Sequence, residues 1–142
     1  MDYKDLLKGI LGKWGFPILE ENETTIVFRF QLNYVQATLN ANDETQSLML
    51  SIINIFKADN EKEMLLGLKT CNELNYSLVM AKLYIDPEAD LIISCEFFFN
   101  DEDLEYILPL ALKALVTAKK KFCQRYEQVE EEAKLIDEIN KQ

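Results

Sequence analysis

Between Asn60 and Phe99 the hydrophobic period of this chain changes once, from helical to alternating. A stretch of that kind packs a helix against antiparallel strands, because neither half can bury its apolar side alone. In the helical half, EKEMLLGLKTCNELN, Met64, Leu65, Leu68, Cys71 and Leu74 make an apolar stripe. Asn60 is placed to cap this helix, with Glu63 at the reciprocal position of a capping box. Asn75 offers a left-handed stop. The alternating half is SLVMAKLYI and LIISCEFFF, joined by DPEAD, where Asp86, Pro87 and Asp90 supply turn chemistry. Val79, Ala81, Leu83 and Ile85 share one face of the first strand. Leu91, Ile93, Cys95, Phe97 and Phe99 share one face of the second. On the other face Lys82, Ser94 and Glu96 suit a half-solvated sheet. Leu78, Met80, Tyr84 and Phe98 fall there too and are too apolar for a purely wet surface.

The same reading extends to the rest of the chain. Asp2 is a cap for a first helix with Leu6, Leu7, Ile10, Leu11 and Trp14 on its apolar side. Gly15 stands just past its end, and Pro17 prevents continuation. Gly9 and Gly12 weaken this helix by roughly 1 kcal/mol each, so it depends on docking to a sheet. Trp14 reads as a core anchor, with a partner contact as the alternative. Three strands follow, in TTIVFRFQL, YVQATLN and QSLMLSIINIF, with Asn33 opening one turn and Asn40, Asn42 and Asp43 marking the next. QSLMLSIINIF is apolar on both faces and belongs inside the sheet. A last helix opens at Asn100 or Asp101, with Asp101, Glu102 and Asp103 at its positive end. Leu104, Ile107, Leu108, Leu112, Leu115 and Ala118 form its buried side. Pro109 kinks it or marks its true start. Beyond Pro109 no Gly or Pro interrupts the helical signal, and Phe122, Tyr126, Val129, Ala133 and Ile136 continue as a short heptad seam. A helix of that length should project beyond the domain. The expected architecture is α+β: an antiparallel five-stranded sheet packed with helices, in the order α-β-β-β-α-β-β-α. Its expected core includes Phe28, Phe30, Leu50, Ile52, Leu68, Ala81, Ile93, Phe97, Leu108 and Leu115.

Composition narrows the function. There is no histidine among the 142 residues. That excludes Ser-His and Cys-His nucleophilic sites and removes the commonest general base and metal ligand. The four glycines form no phosphate-binding loop. Cys71, Cys95 and Cys123 lack zinc-ligand spacing and read as reduced, buried thiols of a cytoplasmic protein. Glu20, Glu21 and Glu23 read as a loop cluster, and Glu130 to Glu132 as a solvated helix face. Lys119, Lys120, Lys121 and Arg125 form a basic run, read as balancing the acidic tail or as a site for an acidic partner. A net charge of −10 opposes nucleic acid and anionic membranes. No apolar run approaches membrane-spanning length, and MDYKDLLKGI does not read as a signal peptide. No catalytic residue, metal or cofactor is expected, and the chain is read as a non-enzyme.

LKTCNELNYSLVMAKLYIDPEADLIISCEFFF, followed by an amphipathic helix, resembles the YbjN family, also described as bacterial sensory transduction regulators. Asn72, Leu74 and Asn75 stand where that family shows an N-x-L-N-like helix end before an apolar hairpin. The order of elements is that of the type III secretion chaperone-like fold. The resemblance implies a YbjN-like domain over residues 1–122, with 123–142 as an acidic extension of the last helix. It implies no catalytic residue and no cofactor. Relatives in secretion systems are dimers that hold extended client segments on apolar grooves. The expectation is therefore a protein-binding module, a chaperone-like or regulatory adaptor, acting as a homodimer. A structural self-associating protein without a client and a small-ligand sensor are the alternatives. Leu78, Met80, Tyr84, Phe98, Phe122, Tyr126 and Val129 are the expected client or dimer contacts.

Overall fold

A computed structural model describes residues 3–41 and 45–141. Asp2, Asn42 and Asp43, expected to cap a helix and to mark a turn, lie outside the described residues. The elements run α1 (Tyr3–Lys13), β1 (Ile18–Glu21), β2 (Thr25–Phe30), β3 (Asn33–Ala41), β4 (Gln46–Ile52), α2 (Glu61–Asn75), β5 (Lys82–Ile85), β6 (Leu91–Phe98) and α3 (Leu104–Asn140). The strands form one antiparallel sheet of six, not five, in the order β1-β2-β3-β4-β6-β5. The element order is therefore α-β-β-β-β-α-β-β-α.

The extra strand is β1, ILEE, whose Glu20 and Glu21 the sequence places in a loop cluster. Only Ile18 is even half-buried there, so the strand has almost no hydrophobic pattern of its own. It forms because β2 offers a free edge, to which Ile18, Glu20 and Glu21 pair opposite Phe28, Val27 and Ile26. β4 lies between β3 and β6, as its two-faced apolarity requires.

Helices cover one face of the sheet. Two register rows cross it as continuous buried bands. One is Ile26, Ala37, Leu50 and Cys95; the other is Phe28, Val35, Ile52, Ile93 and Leu83. Leu7 and Leu11 of α1, and Leu104, Leu108, Leu112, Leu115 and Phe122 of α3, complete the same core. Phe30 and Phe97 are only half-buried at its margin. α1 ends as its glycine requires. Gly15 has φ +74°, Phe16 N–H donates to Leu11 C=O (2.9 Å) and Gly15 N–H to Gly12 C=O (3.1 Å), a Schellman motif.

α2 starts as expected, with Asn60 Oδ1 accepting from Glu63 N–H (2.9 Å). Glu63 reaches back to Asp59 N–H (2.8 Å), one residue before the cap. The buried face of α2 is rotated from the expected one: Cys71 is buried and Leu74 packs against the core as expected, but Leu65 and Leu68 turn outward. Gly67, Thr70 and Cys71 are buried, whereas Leu68 is 45% exposed and Leu65 is exposed too. The reason is close approach: a Cβ on Gly67 would lie 2.6 Å from Ile85 Cδ1 and 3.3 Å from the Phe56 ring. A glycine and a threonine face the core beside Cys71, so the hydrophobic pattern alone misplaces the centre of the buried face. Asn75 is not a left-handed stop. It stays helical, and its amide bonds across to β5.

α3 has 37 residues, about 55 Å of helix. Pro109 neither starts nor ends it. Pro109 and Glu105 are both exposed, so the Glu105 carbonyl deprived of its usual donor meets water. The C-terminal half runs antiparallel along α2 instead of projecting freely. Arg125 pairs with Glu73 (2.7 Å) and Lys62 with Asp137 (3.3 Å). Phe56 packs against Phe122 and Tyr126, with ring centroids 5.4 and 4.8 Å away. Val129 is fully buried, but Ile136, expected in the same seam, is exposed.

Candidate functional site

The sheet face away from the helices carries Val27, Arg29, Tyr34, Gln36, Met49, Ser51, Ile92, Ser94, Glu96, Phe98, Lys82 and Tyr84, by alternation from the buried rows. It is mixed rather than apolar. Ser51 and Ser94 are buried at its centre, set low between longer neighbours, and Ser94 Oγ has no hydrogen-bond partner.

One end of this face is shaped. Between Ile18 and Glu20 the register with β2 slips by one residue. Such a bulge brings Leu19 to the same side as Glu20, which pairs opposite Val27. Leu19, Glu20, Val27, Tyr34, Ile53 and Asn54 then line a hollow of about 470 Å³. Asn54 turns the chain out of β4 with φ +61°. The Arg29 guanidinium lies over the Tyr34 ring, 5.8 Å from its centroid, and holds that ring at the rim. Leu19 and Tyr34 were missed from sequence because β1 was missed. The only signal in the sequence is the isolated Ile-Leu pair after Pro17.

The expected contact residues do not form one patch. Tyr84 stands opposite Ile92 and Phe98 opposite Ser47. They are therefore about 20 Å apart along β6, with Ser94 and Glu96 between them. Phe98 is 72% exposed. Leu78 and Met80 precede β5 and leave the sheet altogether. Leu78 is half-buried against the core, and Met80, at φ +68°, lines a separate hollow beside Leu110, Lys113 and Thr117 of α3. Val79, expected on the core face, is 78% exposed, because the chain at 77–80 is a loop and not the start of a strand. Phe122 and Val129 are buried within the chain, and Tyr126 stacks on Phe122 at 5.7 Å, so this seam is occupied internally.

The outer edge of β5 is closed. Asn75 Nδ2 donates to Leu83 C=O (2.7 Å), and Asn75 Oδ1 accepts from Leu83 N–H (2.8 Å). A side-chain amide thus takes the place of a seventh strand and blocks strand addition there.

Charge and thiols add no reactive centre. The Arg125 guanidinium, hydrogen-bonded to Glu73, holds that carboxyl below the ordinary carboxylate range, and Glu73 raises Arg125 in turn. Lys119 reaches Asn33 Oδ1, so the basic run is partly spent on internal contacts. Burial pushes the Cys71 thiol up to about 11 and raises Cys95. Cys123, expected to be buried, is exposed, because one residue past Phe122 the helix has turned it about 100° away, to the flank of the core side. Among the described residues no group of three or more His, Cys, Asp or Glu is placed to hold a metal ion. Among them, too, no helix is long and apolar enough to cross a membrane.

The architecture has solved counterparts. The chain has the fold of YbjN and of a type III secretion chaperone. YbjN from E. coli, assigned as a candidate transcription regulator, aligns with TM-score 0.57 at 13% identity, over 82% of this chain and 87% of that one. The Yersinia pestis type III secretion chaperone SycH, solved in complex with a stable fragment of YscM2, aligns with TM-score 0.55 at 14% identity, over 85% and 99%. An uncharacterized protein from Methanothermobacter thermautotrophicus aligns with TM-score 0.58 at 13% identity, over 88% and 96%. At these identities the likeness is one of fold. No family profile and no curated protein matches the sequence.

Proposed function

We propose that this protein is a non-enzymatic, cytoplasmic binding module, a chaperone-like or regulatory adaptor that works as a homodimer. It holds an extended segment of a partner protein on the open face of its sheet. The observation that carries this reading is the hollow between Leu19, Val27, Tyr34 and Ile53 on a face that none of the described helices covers. A hollow of that size has room for more than one large apolar side chain of an extended segment, and the half-exposed Tyr34 and Leu19 at its rim supply further contact. Glu20, Arg29, Lys82 and Glu96 around them fix register by charge. Asn75 closes the β5 edge to strand addition, but the hollow lies at the opposite edge, beside β1, so an extended segment there can use side-chain contacts and the β1 edge together. Fold likeness to a chaperone solved with a partner fragment supports the same reading.

The test compares proteins recovered with the tagged chain from its native cells. Wild type is set against Val27→Asp/Tyr34→Asp, both checked for folding by circular dichroism. A protein held by wild type and released by the variant is the expected result. A partner retained equally by both, or none recovered by wild type, counts against the reading.

A further inference from the structure

The outer face of α3 has an order of charge that nothing within the chain uses. Lys113, Lys120, Glu131 and Glu138 are all exposed. Their spacings of seven, eleven and seven keep them on one stripe of the helix, opposite the buried side. The stripe is basic toward one end of the helix; toward the other it carries Glu131 and Glu138, with Lys134 beside them at its margin. None of the four forms an ion pair with another described residue. Exposed apolar residues stand on or beside it, Leu110 near the basic end and Leu135 and Ile139 near the acidic end. Two loops flank the basic half from opposite sides. The β2–β3 turn, strained at Gln31 (φ +55°), holds Leu32 out at 88% exposure beside Lys119, Lys120 and Cys123. The loop at 77–80 adjoins Leu110, Lys113 and Thr117.

We propose that this stripe pairs antiparallel with the same stripe of a second copy of the chain. Turned end for end, the stripe is its own complement. Lys113 then meets the partner's Glu138 and Lys120 meets the partner's Glu131. Both pairs share one twofold centre, between Arg125 and Tyr126. In that register Leu135 and Ile139 of the acidic end fall against the Leu110–Thr117 segment of the other copy, beside its 77–80 loop. The charges set direction and register, and the apolar contacts at the two ends supply the association, since exposed ion pairs alone contribute little. The proposal deepens the homodimer part of the function above and uses none of the open-sheet residues.

Sedimentation analysis of the full chain tests it. Wild type is expected to be a dimer at tens of micromolar. Lys113→Glu/Lys120→Glu and Glu131→Lys/Glu138→Lys should each sediment as folded monomers, because both pairs across the interface then bring like charges together. An equimolar mixture of the two variants should recover a dimer. Register is read separately by oxidation in a Cys123→Ser background. Gln124→Cys should form a disulfide-linked dimer, since its two copies lie about 5 Å apart along the axis. Lys113→Cys should not, with about 37 Å between copies. A charge variant that unfolds leaves the cysteine pair to decide. A monomeric wild type overturns the proposal. So does cross-linking through Lys113→Cys as readily as through Gln124→Cys. So does a dimer that survives both charge reversals but is lost in Leu65→Asp/Leu68→Asp, which would place the contact on α2. Partner recovery through Val27 and Tyr34 is scored independently, so failure of one reading is distinguishable from failure of the other.

Discussion

Glycines separate by what surrounds them. A Cβ on Gly9 would meet nothing within 4 Å, and the residue sits inside α1 with helical neighbours. Gly9→Ala should therefore stabilise the protein by about 1 kcal/mol, seen as a higher denaturation midpoint with unchanged slope. Gly67 is the opposite case, because Ile85 and Phe56 occupy the space. Gly67→Val should cost about 1–3 kcal/mol by overpacking, measured the same way. The thiols differ as sharply. Cys71 and Cys95 are buried with raised pKa values, so they are protonated at neutral pH and shielded from solvent. A thiol reagent applied to the native protein should modify one cysteine, Cys123, and reach the other two only in denaturant. Rapid labelling of two or three thiols in the native state would contradict this burial.

At the scale of elements, α2 is the informative one. It is held largely by its small-residue face, so the exposed Leu65 and Leu68 contribute little. Leu68→Ala should cost less than about 1 kcal/mol, whereas Leu50→Ala, in the middle of a buried register row, should cost about 2–5 kcal/mol. Equal losses would mean that α2 is rotated from the orientation described. The α2–α3 pair is also tied by Arg125 and Glu73, whose side chains are about a third exposed. The folded Glu73 carboxyl titrates below its unfolded value. Its contribution is therefore full above the unfolded pKa and is lost as pH falls through the lower, folded one. With that exposure water screens the pair, and its contribution is small. A double-mutant cycle with Arg125→Gln and Glu73→Gln should show coupling at neutral pH that vanishes in acid. Coupling unchanged at low pH would rule out the ion pair as its source.

For the whole molecule, the question is whether the chain divides after Phe122. α3 passes that point without a break, and Tyr126 and Val129 beyond it close the core beside Phe56. Deleting 123–142 should lower stability by more than about 2 kcal/mol through loss of those buried side chains. Deleting only 138–142 should change it by less than about 0.5 kcal/mol. Equal stability of the longer truncation and the full chain would show that the tail is independent. The sequence by itself determined the α+β class, α2, the turn at Asp86–Asp90, the interior place of β4 and the buried side of α3. Each of these is encoded in the period of its own side chains or in the chemistry of its own turn. Only the tertiary structure decided the sixth strand, the face α2 buries and the separation of Tyr84, Phe98, Met80 and Leu78 into different surfaces. β1 exists because β2 has an edge to pair with. α2 turns Gly67 inward because Ile85 and Phe56 come close. The residues at 77–80 form a loop because Asn75 holds Leu83 from the helix end. Each of these depends on a partner distant in sequence or in space, and a local hydrophobic pattern carries no record of it.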